Sequence, residues 1–274
     1  MEQLGQVTGR KLGSPEPHLY ILHVVKPSAL PVLCVAAARL ALAAPAGASP
    51  QPGQSAGHIP IVVLDPGHGG SNPGATGATG LREKQLTLAL ARAVADRLRA
   101  RGIAVRLTRT TDRTLTLRQR VAIADQLPAD LFVSIHANAS PTRTQSGYET
   151  YVLTPHGIDI DGRALRSDTT TPRPGVAPDI ALVLDDVERG ASQWEAADLA
   201  ARMQRALRDR RGPDGDRGVR QDAQHVLLGA TMPAVLVEVG FLDHPLEGRR
   251  LADPALQSQL ADALAEAIAD QLAD

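Results

Sequence analysis

The amino-acid sequence predicts a single α/β domain in which helices cover a largely parallel or mixed sheet. Short runs rich in β-branched residues alternate with longer segments whose apolar residues recur every three or four positions, as in strands and amphipathic helices. Apolar residues make up 43% of the 274 residues, which is enough for a substantial core. No internal repeat is visible, so one domain over residues 59–274 is the expected organisation.

The first half of this domain holds three predicted strands and two predicted helices. The first strand is a short, nearly continuous apolar run, as expected of a buried strand. The elements are a strand over 59–64, a helix carrying Leu86, Leu90, Val94 and Leu98 that ends near Gly102, a strand over 103–107, a helix opened by the capping box Thr116-x-x-Gln119, and a strand over 130–136.

The second half holds two further predicted strands and two further predicted helices. Capping residues mark the start of both helices. The elements are a strand over 147–153 with one solvated face, a helix from the capping box Ser192-x-x-Glu195 to about Arg210, a strand over 234–240, and a helix that starts at Asp253-Pro254 and carries Leu256, Leu260, Leu264, Ile268 and Leu272 on one face.

Residues 1–48 differ from the rest and have the outline of a secretory leader. Lys26 precedes a mostly apolar stretch, and Ala46-x-Ala48 resembles a small-residue cleavage site. Residues 49–58, rich in Pro, Gly, Ser and Gln, are typical of a linker. We therefore expect an exported protein, periplasmic or associated with the cell wall, without a stable membrane span after processing. A disordered tail rich in Ala and Pro is the alternative.

Composition argues against nucleic acid as a partner. The formal net charge is -1, with acidic and basic residues interspersed, so the chain has no basic footprint. Aromatic residues are only 2% of the chain, which leaves few rings for stacking on bases or sugars. We interpret the many arginines as an effect of genomic base composition.

The stretch Leu64-Asp-Pro-Gly-His-Gly-Gly70, at the end of the first predicted strand, suggests either a phosphate loop or a metal site. A dinucleotide-binding loop needs a third glycine where Asn72 stands, and the Walker pattern lacks its Lys-Ser/Thr ending. Both phosphate interpretations therefore fail. The glycines are better explained as a sharp turn that lets His68 face a cleft.

Polar residues also end two other predicted strands. His136 ends the third strand, and Glu238 lies near the end of the last one. Because ligands of α/β sheets gather beyond the carboxyl ends of strands, we expect His68, His136 and Glu238 around one crevice. A catalytic zinc ion takes three His or carboxylate ligands, and Glu83, just before the first helix, is a candidate third ligand. The residues alone leave open whether the histidines bind metal or form structural hydrogen bonds.

Five short motifs follow one another along the domain. They are Leu-Asp-Pro-Gly-His68-Gly-Gly, Gly-Leu-Arg-Glu83-Lys, Ser-Ile-His136-Ala-Asn138, Gly147-Tyr-Glu-Thr-Tyr and Pro233-Ala-Val-Leu-Val-Glu238-Val-Gly-Phe241. Their order and spacing resemble those of zinc-dependent N-acetylmuramoyl-L-alanine amidases of the Amidase_3 type. The resemblance runs from about residue 59 to residue 272.

This resemblance implies a fold, a substrate and a role for each residue. The fold is a mixed, mostly parallel sheet sandwiched between helices. One zinc ion is bound by His68, Glu83 and His136, and Glu238 is the catalytic carboxylate. The substrate is peptidoglycan, cut at the amide between N-acetylmuramic acid and L-alanine of the stem peptide. The alternatives are another zinc amidohydrolase, such as a peptidase or deacetylase, and a non-catalytic wall-binding module of the same fold.

Residues 157–190 form a longer connection than a compact domain needs, and such loops are usually functional or disordered. Some relatives in the resembled family carry an insertion here whose helix blocks the cleft until an activator protein removes it. By that resemblance Asp185, Asp186 or Glu188 would block the zinc ion. A peripheral helix that shields the sheet is an equal alternative.

Three further polar residues rank below these candidates. Asp65 and Asn138 either orient metal ligands or make ordinary hydrogen bonds at strand ends. His225 precedes the last strand and either contacts substrate or is a surface or core histidine.

Overall fold

The computed structural model describes residues 58–153, 178–222 and 226–273, with only the helical backbone for 178–189. The predicted leader over 1–48, nearly all of the linker over 49–58, residues 157–177 of the predicted insertion and His225 lie outside the described residues.

The described part of the chain contains six strands and five helices, which alternate strictly only over the first five elements. In chain order they are β1 (Ile61–Pro66), α1 (Glu83–Arg99), β2 (Ala104–Leu107), α2 (Leu117–Asp125), β3 (Leu131–Asn138), β4 (Tyr148–Leu153), α3 (Pro178–Arg211), β5 (Asp216–Asp222), β6 (Ala234–Phe241), α4 (Glu247–Leu251) and α5 (Pro254–Ala273).

The strands form one sheet in the order β2-β1-β3-β6-β4-β5. β1 pairs in parallel with β2 and β3, and β3 pairs in parallel with β6. β4 runs antiparallel to β6 and parallel to β5. The sheet is therefore mixed and mostly parallel, which confirms the predicted fold class.

One face of this sheet packs on α1, α3 and α5 and forms the main core. Alternate residues of the central strands point to this face, such as Val133 and Ile135 of β3 and Val237 of β6. Leu90 of α1 and Leu264 of α5 pack in the same cluster and are fully buried. The strands carry apolar residues on this face because the helices packed against it exclude water.

The opposite face changes character along each strand. Near the start of the strands, Val63, Phe132 and Leu236 form a smaller apolar cluster with residues of α2 and of the segment 226–232. Toward the carboxyl ends, the same face carries Asp65 of β1 and His136 of β3. These polar strand ends position the site described below.

Two predicted helix starts are confirmed in atomic detail. Thr116 Oγ1 accepts a hydrogen bond from Gln119 N, and Gln119 Oε1 accepts one from Thr116 N, so α2 begins with the predicted capping box. Asp253 Oδ1 accepts a hydrogen bond from Ala255 N at the start of α5.

The predicted start of the third helix is wrong. Ser192 lies inside α3, which is one helix of 34 residues that begins at Pro178. The residues before Ser192 include many helix formers, and Pro178 occupies the first helical position, where proline is tolerated. A Ser-x-x-Glu pattern therefore does not mark a helix start when the preceding residues also favour a helix.

Two features of the second half of the sheet also differ from prediction. β4 was expected to have one solvated face, but it lies between β6 and β5 and is buried almost throughout. The edge strand β5 was not predicted, because Val219 is the one apolar side chain in Asp216–Asp222. Pairing with β4, rather than its own sequence pattern, makes this segment a strand.

No helix within the described ranges is both long and apolar enough to cross a membrane.

Candidate metal centre and catalytic carboxyl group

The four residues predicted for the site come from four different elements. His68 lies in the turn after β1, Glu83 is the first residue of α1, His136 is on β3 and Glu238 is on β6. His136 and Glu238 are register partners in neighbouring parallel strands, so their side chains project from the same face. The fold thus brings together residues that are far apart in sequence.

His68, Glu83 and His136 form one close group. Glu83 Oε1 lies 3.0 Å from His68 Nε2 and 3.0 Å from His136 Nδ1. The two imidazole rings meet edge to face, with centroids 5.0 Å apart. One ligand atom from each residue lies within 4.8 Å of the other two. Glu83 is buried, whereas both imidazoles are partly exposed, so the group is open to solvent.

The neighbours of His68 decide which of its nitrogens faces the group. Nδ1 lies 3.0 Å from Asn72 Oδ1, and that oxygen also accepts a hydrogen bond from Gly74 N. Since a carbonyl oxygen only accepts, Nδ1 carries the hydrogen and Nε2 presents a lone pair. Nε2 and the Glu83 carboxylate oxygen are then two acceptors 3.0 Å apart. Such a pair needs a proton or a metal ion between its atoms.

Glu83 is held as an ionised carboxylate in a buried position. Ala137 N donates to Oε1 and Ala75 N donates to Oε2. Burial alone would raise the pKa of Glu83, but the hydrogen bonds and charges of His136 and His68 hold it well below its usual range. In the same way burial would lower the pKa of His68, and the hydrogen bond and charge of Glu83 raise it.

Two glycines make room for this group. A Cβ on Gly67 would lie 2.4 Å from the His136 ring, and a Cβ on Gly74 would lie 2.5 Å from Glu83 Oε2. In a tetrahedral zinc site with bonds of about 2.0–2.1 Å, ligand atoms lie about 3.3 Å apart. The two separations from Glu83 Oε1, 3.0 Å each, are close to that value, and all three ligand atoms lie within 4.8 Å of one another, which is consistent with a small divalent ion.

The turn that carries His68 is strained and firmly held. His68 adopts a φ of 59°, in the left-handed region that costs a non-glycine residue about 1–2 kcal/mol. The buried guanidinium of Arg109 donates to Gly67 O at 2.8 Å and to Pro66 O at 3.0 Å. The buried guanidinium of Arg120 donates to Pro66 O at 2.8 Å and to His68 O at 2.7 Å. Three consecutive carbonyl groups are therefore fixed.

Asp65 supports this turn through Arg120. Its Oδ1 accepts hydrogen bonds from Arg120 at 2.8 Å and from Thr108 at 2.5 Å, and its Oδ2 accepts one from Ser134 at 2.8 Å. No described hydrogen bond joins Asp65 to a candidate ligand.

Burial and the charge of Arg120 lower the pKa of Arg109 to about 10. Neither arginine was predicted for the site, since the arginines were interpreted as an effect of base composition.

Glu238 approaches the three-residue group from β6. Its Oε2 is buried and has no hydrogen-bond partner among the described residues. Burial, and then the negative charges of Glu83 and Glu149, raise the pKa of Glu238 well above its usual range. A carboxyl group with a raised pKa is suited both to accept and to donate a proton near neutral pH.

Glu149 was not predicted as a site residue, although it lies beside Glu238. It is the register partner of Glu238 in β4 and is buried. Its Oε1 accepts hydrogen bonds from Asn138 Nδ2 at 2.9 Å and from the Tyr151 hydroxyl at 3.1 Å. Asn138 therefore orients Glu149, and no described hydrogen bond joins Asn138 to a candidate ligand. The sequence signal that could have identified Glu149 is an acidic residue inside the β-prone run 147–153.

Asp185, Asp186 and Glu188 lie on the helical backbone of α3, and their side chains are outside the described part of the structure. His225 is likewise outside it. Their predicted roles stay predictions.

A mixed α/β sheet that presents a His-Glu-His group and a separate carboxyl group is typical of hydrolases that use a metal ion. Residues 62–270 match the Amidase_3 family, described as N-acetylmuramoyl-L-alanine amidase. The chain is 34% identical over 216 residues to N-acetylmuramoyl-L-alanine amidase AmiA of Escherichia coli K12, covering 76% of this chain and 74% of that protein.

Other similar proteins and solved structures are also N-acetylmuramoyl-L-alanine amidases. AmiC of Neisseria meningitidis is 31% identical over 229 residues, covering 80% of this chain and 55% of that one. The amidase AmiC2 of Nostoc punctiforme superposes with a TM-score of 0.61 at 30% identity, covering 79% of this chain and 99% of that one. The catalytic domain of CwlV from Paenibacillus polymyxa gives a TM-score of 0.57 at 30% identity, covering 78% and 99%.

This chain therefore belongs to the Amidase_3 family of N-acetylmuramoyl-L-alanine amidases.

Proposed function

We propose that this chain is a zinc-dependent peptidoglycan amidase that cuts the amide between N-acetylmuramic acid and L-alanine of the stem peptide. Family membership gives the reaction and the polymer. The zinc requirement is supported by one observation above all. His68, Glu83 and His136 offer one ligand atom each, all within 4.8 Å of one another, and the 3.0 Å contact between His68 Nε2 and Glu83 Oε1 is one that a proton or a metal ion bridges.

His68, Glu83 and His136 would hold the ion. When bound, zinc would polarise the amide carbonyl and lower the pKa of a water molecule toward about 7. The protein contributes ligand placement: Arg109 and Arg120 fix the turn of His68, and hydrogen bonds from Ala75 and Ala137 fix Glu83.

Glu238 is the proposed proton carrier. It takes the proton from the attacking water through Oε2, the buried oxygen without a described partner. It then delivers that proton to the nitrogen of L-alanine, because an amide nitrogen leaves readily only as a neutral amine. The raised pKa of Glu238 favours holding the proton, which supports both its uptake from water and its later delivery to the nitrogen.

Digestion of purified peptidoglycan, followed by mass spectrometry, tests this function. Metal-loaded protein should release stem peptides with a free L-alanine amino terminus, and chelation should abolish release until zinc is restored. Cleavage inside the stem peptide would instead identify a peptidase, and release of acetate would identify a deacetylase. Binding without cleavage by folded, metal-loaded protein would identify a wall-binding module.

The location of the substrate supports export of the protein. Peptidoglycan lies outside the cytoplasmic membrane, so residues 1–48 are proposed as the leader, 49–58 as the linker and 59–274 as the catalytic domain. The mass of the mature protein in the periplasm or wall fraction should correspond to cleavage after Ala48. An uncleaved chain confined to the cytoplasm would contradict this proposal.

Inhibition of the active site by residues 157–190 is also proposed, and α3 limits how it can be tested. Because α3 is one helix from Pro178, deleting residues 168–188 would remove about three helical turns together with the loop. Replacing Asp185, Asp186 and Glu188 with the corresponding amides keeps the helix. Higher activity in that variant supports a blocking carboxylate and an activator protein. Unchanged activity supports a peripheral helix.

A further inference from the structure

Polar side chains form a row across four neighbouring strands, starting at the candidate metal centre. His136 of β3 is the register partner of Glu238 of β6, and Glu238 is the register partner of Glu149 of β4. Arg217 of β5 comes next, with its Nε donating to Glu149 Oε2 at 2.9 Å. The row therefore ends in a cation at the edge of the sheet.

Arg217 is held in one orientation. Its Nη2 donates to Gln145 Oε1 at 3.3 Å, and its guanidinium carbon lies 5.0 Å from the centre of the Phe241 ring. The side chain is nevertheless 30% exposed. A planar guanidinium that is stacked, hydrogen-bonded and still accessible is well organised to bind a carboxylate.

Arg220 brings a second guanidinium to the same place. It is the register partner of Tyr151, and its Nε lies 3.3 Å from Glu149 Oε2. The side chain is 48% exposed. Two partly exposed guanidinium groups thus share one oxygen of a single buried carboxylate.

We propose that Arg217 and Arg220 bind a carboxylate group of the stem peptide, carried by the residue that follows L-alanine. This inference rests on the proposed amidase function. Glu238 is proposed to deliver a proton to the leaving nitrogen, and β4 and β5 lie beyond Glu238 as seen from His136, so this side of the site is available to the departing peptide.

The distances are compatible with this placement. Neighbouring strands lie about 4.8 Å apart, so β5 lies about 10 Å from β6. One extended residue spans about 3.5 Å. The arginine side chains cover the remaining distance, since both already reach back from β5 to Glu149 on β4.

The test compares two disaccharide tetrapeptides that differ at one group. One has a free carboxylate on the residue after L-alanine, and the other has the corresponding amide. The native chain should show a kcat/KM about 10- to 100-fold higher for the carboxylate substrate, as expected for charge-assisted hydrogen bonds. Arg220→Gln should lose most of that preference, because kcat/KM should fall more for the carboxylate substrate than for the amide substrate.

Two more variants complete the experiment. Arg217→Lys keeps the charge but loses the planar fork, so its preference should fall between those of the native chain and Arg220→Gln. Arg210→Gln is the matched control, because Arg210 is a 39% exposed arginine of α3 that pairs with Glu266 of α5 rather than with a residue of β5. It should keep the native preference, and thermal melting checks that all variants are folded.

The possible results separate this inference from the proposed function. Equal kcat/KM for both substrates in the native chain, or an equal loss for both in Arg220→Gln, overturns the carboxylate site and leaves the amidase function standing. Failure of the metal-loaded native chain to cleave either substrate overturns the amidase function and this inference with it.

Discussion

The two faces of the sheet use the same strands for different purposes. The face toward α1, α3 and α5 is mainly apolar, with Val133 and Val237 fully buried. The opposite face begins apolar beneath α2 and ends with His136 and Glu238. Because successive residues of a strand point to opposite faces, chemistry and core packing are only one residue apart in sequence yet separate in space. Substitutions should therefore affect activity and stability separately.

Glu238→Gln tests the polar face most directly. The amide cannot carry a proton between water and leaving nitrogen, so kcat should fall about 10²- to 10⁴-fold while zinc content stays at one ion per chain. His68→Ala is the contrasting variant and should lose both metal and turnover. Metal analysis and peptide-release assays measure both properties. Near-native activity of Glu238→Gln would remove Glu238 from its proposed role.

Leu264→Ala tests the apolar face. Leu264 of α5 is fully buried in the main core, so its truncation should lower the free energy of unfolding by about 2–5 kcal/mol. Chemical denaturation measures the change. Below the unfolding transition, kcat/KM should stay near the native value. A large loss of activity in the folded variant would show that the two faces are coupled.

Arg120→Lys tests the support beneath the polar face. Arg120 uses Nη1 for Asp65 and the Pro66 carbonyl and Nη2 for the His68 carbonyl, and lysine lacks this planar fork, so zinc affinity should fall about 10- to 100-fold. Arg211→Lys is the matched control, because Arg211 is also buried and is bound to Glu247 and the Val239 carbonyl, with no described contact to the turn of His68. Competition with a chelator measures affinity. Equal losses in both variants would point to general destabilisation.

Thr116→Ala should have the smallest effect of these substitutions. It removes the hydroxyl that caps α2, the helix that carries Arg120, and should cost about 1 kcal/mol of stability. Thermal or chemical denaturation measures the change, with Ser at position 116 as the conservative control. An unchanged midpoint would show that the capping box contributes little to this helix.

Local sequence signals predicted much of this molecule. The apolar runs of β1, β3 and β6 and the capping box at Thr116 depend on residues close in sequence, and the structure contains all of them. Polar residues at strand ends predicted a crevice with His68, His136 and Glu238, the family resemblance implied Glu83 as the third ligand, and the fold does bring His68, Glu83 and His136 together.

Other features depend on contacts between distant residues, which no local pattern contains. Arg109 and Arg120 matter because they reach backbone carbonyls 42 and 52 positions earlier in the chain. β5 is a strand because β4 lies beside it. Glu149 is notable only once the register places it against Glu238.

The positive φ of His68 has a consequence for how the protein tolerates change. A glycine or asparagine would adopt this backbone conformation with less strain, and either would end metal binding by His68. Selection for thermal stability alone would therefore favour losing this histidine, whereas selection for wall cleavage would keep it. Stability and activity pull in opposite directions at this single position.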